Sequence, residues 1–305
     1  MSSSTKKTFL KKIFSLLSVV RGYNILILII AQYLASIFIF SSEKSLRNVL
    51  FDVHLHFLII ATVCVVSAGY IINNFYDVKI DRINRPLKSG IDSYVKQETK
   101  LSLYFFLNFL GCFFGLLVSW RAALFFSVYI FGIWLYSHKL KKYSFIGLLS
   151  ATILTILPFF VVFIHYKNFS KIIFVHATFF SLVIMVRELI KDLENLKGAI
   201  VNNYQTFPVT YGESFSKKVS VFILMLTLIP VIILLNFLEL NYMRFYYYFS
   251  AIILAFISFS IIKSKSRKDY RIIHNVLKVL LLLGVFSLVF IDTSLLLEKV
   301  INRIN

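Results

Sequence analysis

Apolar runs recur along the whole of this 305-residue chain, and most reach the length of about 18 residues that crosses a hydrocarbon core of about 30 Å. A backbone in lipid has to satisfy its own polar groups, so runs of this kind fold as helices. Nine can be read, at about 24–40, 56–77, 101–119, 121–137, 144–166, 170–190, 218–240, 244–264 and 275–296. The chain is therefore expected to be an all-α membrane protein, a single polytopic domain over 1–305. No stretch reads as a soluble domain, in keeping with 59% hydrophobic residues. The N-terminal segment starts basic, but no small-residue cleavage pattern follows the first run, which is expected to be a retained helix rather than a signal peptide.

Charge tests the span count. Assigning the connections alternately to two faces puts 25 of the 33 basic residues with the N-terminus and leaves eight on the other face. The positive-inside rule then places the N-terminus in the cytoplasm and the C-terminus outside. A net charge of +19 would suggest nucleic acid in a soluble protein. Here topology, anionic lipid and an anionic substrate account for it, and no nucleic-acid partner is expected. Cys64 and Cys112 both lie inside apolar runs and read as small buried side chains, neither a disulfide nor a metal site.

Two connections on the basic face are long, about 78–100 and 191–217, and eight of the 14 acidic residues lie in or beside them. The first begins with Asn73-Asn74-Phe75-Tyr76-Asp77-Val78-Lys79-Ile80-Asp81-Arg82-Ile83-Asn84-Arg85-Pro86. Residues four apart share a helix face, so Asn73, Asp77 and Asp81 form a polar ladder where a membrane helix meets water. Successive carboxylates repel unless a cation lies between them. Mg²⁺ is commonly held by one or two carboxylates together with phosphate oxygens. The second begins with Arg187-Glu188-Leu189-Ile190-Lys191-Asp192-Leu193-Glu194. Glu188 and Asp192 repeat the acidic spacing, and Arg187 and Lys191 form a parallel basic pair. Ionisable groups at a membrane helix end are costly and usually face a polar cavity.

Two such ladders facing one cavity would hold two or three Mg²⁺ ions, with Arg and Lys taking the anionic oxygens the metals do not reach. That is a diphosphate site, and the surrounding apolar helices offer room for a hydrocarbon tail. A polyprenyl diphosphate satisfies both halves. Stabilising its leaving group lets the allylic C–O bond break heterolytically. An aromatic-rich bundle would then shield the cation from water until an electron-rich acceptor attacks.

The motifs resemble those of the UbiA-type intramembrane prenyltransferases. The family's NxxxDxxxD with a following NRP is similar to Asn73, Asp77, Asp81 and Asn84-Arg85-Pro86. Its RExxKDxxDxxGD is similar to Arg187, Glu188, Lys191, Asp192 and Gly198. Tyr136-Ser137, Leu140-Lys141 and Ile146-Gly147 resemble its YS…LK…IG segment, and Thr206, Pro208 and Gly212 its T-x-P-x-x-x-G. Arg21-Gly22-Tyr23-Asn24 is similar to the RPxN that often opens the first helix. The resemblance implies nine transmembrane helices around a central cavity capped by the two long connections. It implies Asn73, Asp77, Asp81, Glu188 and Asp192 as Mg²⁺ and diphosphate ligands, with Asp77, Asp81, Glu188 and Asp192 as the catalytic set. Arg82, Lys141, Arg187 and Lys191 are the candidate diphosphate contacts, and Tyr136 and Ser137 the cavity residues near the reacting carbon. Two departures stand out: Asn195 replaces the third carboxylate of the second motif and Ala199 the aspartate of its Gly-Asp, leaving Glu194 as a candidate substitute.

The expected reaction is Mg²⁺-dependent prenyl transfer from a polyprenyl diphosphate to a lipophilic acceptor. The strings around both motifs look most like the branch that uses geranylgeranylglycerol phosphate, in membrane lipid biosynthesis. An aromatic quinone precursor such as 4-hydroxybenzoate or homogentisate is the alternative acceptor. A lipid-phosphate transporter is the alternative of another class, although it would need no paired acidic ladders and should show interrupted spans. The expected location is a bacterial-type cytoplasmic (inner) membrane, with the active site facing the cytoplasm.

Overall fold

The computed structural model describes residues 3–41 and 45–292, with side chains from Lys11 onward. Lys44, Lys299, Arg303 and positions 293–296 of the ninth expected span lie outside the described residues. The described chain is helical throughout its length. In order its helices are α1 (Ser3–Val19), α2 (Gly22–Ala35), α3 (Leu46–Leu50), α4 (Val53–Asn84), α5 (Pro86–Asp92), α6 (Gln97–Val118), α7 (Trp120–His138) and α8 (Ser144–Tyr166). There follow α9 (Lys171–Glu194), α10 (Leu196–Val201), α11 (Phe207–Tyr211), α12 (Glu213–Leu226), α13 (Leu228–Leu235), α14 (Arg244–Lys263) and α15 (Arg267–Ser287). Among the described residues nine helical segments are long and apolar enough to cross a membrane, and they include all of α4 and α9.

The helices that carry the two motifs outrun their apolar stretches. Val78–Asn84, read from sequence as the start of a connection, continues α4 as helix. Nothing in Val78–Asn84 breaks a helix. The stop comes at Pro86, which disfavours helical geometry at the preceding Arg85 (φ −141°) and then opens α5 as its first residue. With 32 residues, α4 is about 48 Å long, more than a hydrocarbon core requires, so its charged turns can lie beyond the lipid. Lys191–Glu194 likewise continues α9.

The chain divides into two compact units. One comprises residues up to Ile29, Val53–Ser150 and Asn195–Val209. Its centre is Val19, Ala68, Ile71, Ile72 and Tyr104, with Phe75 and Tyr76 packed against it. Helices in lipid gain little from the hydrophobic effect, so close packing and interhelical hydrogen bonds hold them. A polar knot supplies such bonds here. Asp92 on α5 accepts from Ser18 Oγ at 2.6 Å, Asn74 Nδ2 at 2.9 Å and Lys88 Nζ at 2.5 Å. The buried Lys100 on α6 donates to Asn74 Oδ1 at 2.9 Å. Four helices are thereby tied together one residue from the first motif.

The other unit comprises Ile30–Asp52, Ala151–Glu194 and the chain from Thr210. Phe179, Val183, Val186, Leu189 and Ile190 of α9 are fully buried in it. The tyrosines 246–248, which an interfacial aromatic belt would explain, are mostly internal: Tyr246 and Tyr247 are buried and only Tyr248 is exposed. Tyr247 pairs with buried His176, and the Tyr246 hydroxyl donates to Leu280 O at 3.2 Å. At the start of α15 a capping box forms, in which Ser266 Oγ accepts from Asp269 N and Asp269 accepts from Ser266 N. It sets the position of the turns that carry Arg271 and His274.

Candidate active site

The first ladder forms as its spacing requires, and a lysine closes it. Asn73 Nδ2 donates to Asp77 Oδ2 at 2.9 Å. Lys141 Nζ donates to Asp77 Oδ1 at 2.5 Å and to Asn73 Oδ1 at 3.2 Å. The lysine is itself buried, its side chain 7% exposed, and it also lies 5.9 Å from the centre of the Tyr76 ring. The carboxylate of Asp81, one turn on, has no hydrogen-bond or ion-pair partner among the described residues. It lies in the repulsive field of Asp77 and the attractive fields of Lys88, Arg85 and Arg21.

Two close approaches set the surroundings of this ladder. Lys141 sits in the short 3₁₀ turn Leu140–Lys142, against which α8 packs at Gly147. A Cβ there would lie 2.9 Å from Leu140 O and 3.3 Å from Lys141 Cα, so only glycine lets the helix reach the turn. Gly198 on α10 lies against the side-chain amide of Asn84, which a Cβ would overlap. Asn84 Nδ2 also donates to Asn195 O at 3.3 Å. Beyond α10 the chain returns to the lysine turn: Gln205 N donates to Lys142 O at 2.8 Å, and Lys142 Nζ lies 5.8 Å from the Tyr204 ring centre. Burial, with the Asp77 carboxylate adding to it, pushes the Tyr204 phenol up to about 12. Tyr204 therefore stays protonated at neutral pH.

Tyr136 and Ser137 lie in the last turn of α7, just ahead of the lysine turn. Ser137 is buried and its hydroxyl makes no hydrogen bond among the described residues. Arg82 is exposed, one residue and about 100° around the helix from Asp81. Arg85, Lys88 and Arg21 are the cations that act on Asp81. None of the three is among the site residues expected from sequence, although Arg21 and Arg85 stand in its motifs and Arg85 is the i+4 neighbour of Asp81.

The second ladder repeats the division of labour. Glu188, 7% exposed at its side chain, is ion-paired with Arg187 Nη2 at 3.2 Å and with Lys191. Asp192, one turn on, has no hydrogen-bond or ion-pair partner among the described residues, and the charges acting on it are those of Lys191 and Glu188. In each ladder, then, the first acid is gripped by basic side chains and the second is left open. Glu194, the candidate substitute for the missing third carboxylate, is not open. Its Oε1 accepts from Arg271 Nε at 3.1 Å and its Oε2 pairs with His274 Nδ1 at 2.9 Å. Asn195 is in the position of that third acid, and its buried Oδ1 lacks a hydrogen bond.

These are hard oxygen donors of the kind Mg²⁺ takes. Neither ladder alone supplies three acidic, His or Cys groups for a metal cage. The fit is to an ion completed by water and substrate phosphate, with Asn73, Asp77 and Asp81, or Glu188 and Asp192, able to contribute oxygens. The ammonium of Lys141 already rests on the oxygens of Asn73 and Asp77, which marks that pair as a cation-binding position.

Fold and charged helix ends together define an integral membrane protein with acid–base clusters at its helix termini. The pattern of the UbiA prenyltransferase family matches residues 20–290. The chain is 27% identical over 240 residues to the digeranylgeranylglyceryl phosphate synthase of Methanobrevibacter smithii, covering 74% of this chain and 80% of that one. It is 30% identical over 203 residues to the synthase of the same name from Saccharolobus solfataricus, covering 65% and 69%. Among solved structures, one described as a digeranylgeranylglyceryl phosphate synthase in membranes superposes with a TM-score of 0.68 at 20% identity, covering 92% of this chain and 98% of that one. A UbiA homologue from Archaeoglobus fulgidus bound to GPP and Mg²⁺ superposes with a TM-score of 0.64 at 13% identity, covering 90% and 99%. The chain belongs to the UbiA prenyltransferase family and is a prenyltransferase. The enzyme reading therefore stands over the transporter reading.

Proposed function

We propose that this enzyme transfers a geranylgeranyl group from its diphosphate to the hydroxyl of geranylgeranylglycerol phosphate, on the cytoplasmic face of the membrane. The acceptor rests on the shared name of the synthases from M. smithii and S. solfataricus. The single structural observation that carries the chemistry is the pattern common to both ladders. One acid is held by Lys or Arg, and the carboxylate one turn on has no hydrogen-bond or ion-pair partner among the described residues.

Asn73, Asp77, Asp81, Glu188 and Asp192 are the residues that would hold Mg²⁺. When bound, Mg²⁺ would offset negative charge on the diphosphate. Lys141, Arg187 and Lys191 bind the phosphate oxygens, each already placed beside a carboxylate it can share with the substrate. Arg82, at the exposed end of the first motif, takes the outermost oxygens. The allylic C–O bond breaks and its electron pair leaves with the diphosphate. An acceptor oxygen lone pair then forms the new C–O bond, and the hydroxyl proton passes to the released diphosphate. Tyr136 and Ser137 line the cavity near the reacting carbon, where exclusion of water keeps the cation from being hydrolysed.

Purified enzyme given labelled geranylgeranyl diphosphate and one acceptor at a time tests the reading. A two-chain glycerol phosphate identified by mass spectrometry is the expected product. A prenylated 4-hydroxybenzoate or homogentisate in its place would replace the proposed acceptor.

A further inference from the structure

The second motif is tied into a relay that its sequence does not display. Arg187, at the head of the motif on α9, reaches across to α15, where its Nε–H points at His274 Nε2 at 3.4 Å. The other ring nitrogen, Nδ1, lies 2.9 Å from Glu194 Oε2. A guanidinium only donates and a carboxylate only accepts, so Nε2 carries the lone pair and Nδ1 the proton. The ring is thereby fixed as the neutral Nδ1–H tautomer, in one orientation. Glu194 is itself fixed from the far side by Arg271 Nε at 3.1 Å. Glu194 is 6% exposed and His274 4%, so neither is a solvated helix-end group. The chain of contacts ends on the motif itself, since Arg187 Nη2 is 3.2 Å from Glu188 Oε1.

We infer that Glu194 and His274 are positioning residues that aim the Arg187 guanidinium, and that Glu194 has this task in place of a metal contact. The inference rests on the proposed role of Arg187 as a diphosphate contact. Arginine is effective there because its planar fork meets phosphate with two parallel bonds, which requires its plane to be held. A neutral imidazole accepting from Nε holds that plane, with Nη2 set against Glu188 Oε1. Both oxygens of Glu194 are engaged by Arg271 and His274 of α15, not by the Arg187 and Lys191 side chains that pair with the ladder acid Glu188. That accounts for an acid adjacent to Asn195 without assigning it the absent ligand's work.

Direct binding of geranylgeranyl diphosphate, read without turnover in the presence of Mg²⁺, separates the possibilities. His274→Leu removes both bonds and should weaken binding roughly tenfold. His274→Gln can still accept from Arg187 and donate to Glu194, and should restore most of that loss. Glu194→Gln keeps the size but not the charge; it should weaken substrate binding while leaving the Mg²⁺ concentration for half-maximal binding unchanged. If His274→Leu does not give folded protein, Glu194→Gln alone carries the test. Variants that bind like the parent, or a Glu194→Gln protein with altered Mg²⁺ dependence and unaltered substrate affinity, would overturn the relay. A parent protein that binds no prenyl diphosphate would instead overturn the proposed function, and the relay with it.

Discussion

Lys141 Nζ lies 2.5 Å from Asp77 Oδ1 across 64 residues of sequence, joining the turn after α7 to the acidic face of α4. An ammonium this buried is retained only where carboxylate and amide oxygens receive it. In the proposed mechanism the same charge is offered to an incoming diphosphate. Lys141→Met should therefore lower kcat/KM for the prenyl diphosphate by about a hundredfold, and Lys141→Arg should recover only part of it because the fork does not fit a point-charge position. Steady-state kinetics with the acceptor saturating checks this, and unchanged kcat/KM in Lys141→Met would count against the assignment.

Gly198 and Asn84 are pressed together, so their substitutions should not be additive. Gly198→Ala forces a Cβ into the Asn84 amide and should cost about 1–3 kcal/mol as overpacking. Asn84→Ala clears that space, and the double variant should be more stable than the sum of the two losses predicts. Thermal unfolding of the four proteins in detergent measures the coupling, and strict additivity would contradict the contact.

Both motifs were legible in the sequence as spacing, because period four on a helix is a local property. The partners were less so. Lys141 was named from its motif, but its bond to Asp77 depends on how α7 and α8 pack, which spacing does not encode. In sequence His274 looks like any solvated helix-end histidine; only the packing of α15 against α9 sets it beside Glu194. Arg271 reads as part of a basic stretch suited to lipid headgroups, yet its Nε bonds buried Glu194. α4 and α9 run on past their apolar stretches for a simple reason: hydropathy marks where lipid ends, and only a breaker such as Pro86 marks where a helix ends.

The oxygen-rich ladders imply a dependence on a hard divalent ion. Activity should vanish in a strong chelator and return with added Mg²⁺. Full activity after exhaustive chelation would remove the metal from the account while leaving the basic residues in it.

On the proposed topology α5 is cytoplasmic and the connection between α13 and α14 lies outside. On a background lacking Cys64 and Cys112, Gly90→Cys and Leu238→Cys put thiols at two exposed positions. A membrane-impermeant maleimide should label Leu238→Cys in right-side-out vesicles and Gly90→Cys in inverted ones. The reverse pattern would invert the topology.

The central claim is that both ladders serve one prenyl transfer, each through an acid of its own. Diphosphate release from geranylgeranyl diphosphate in the presence of geranylgeranylglycerol phosphate and Mg²⁺ tests it most directly, with the parent compared against Asp77→Asn and Asp192→Asn. Release by the parent that is lost in both folded variants is the predicted result. Release that survives either substitution undiminished would contradict the claim.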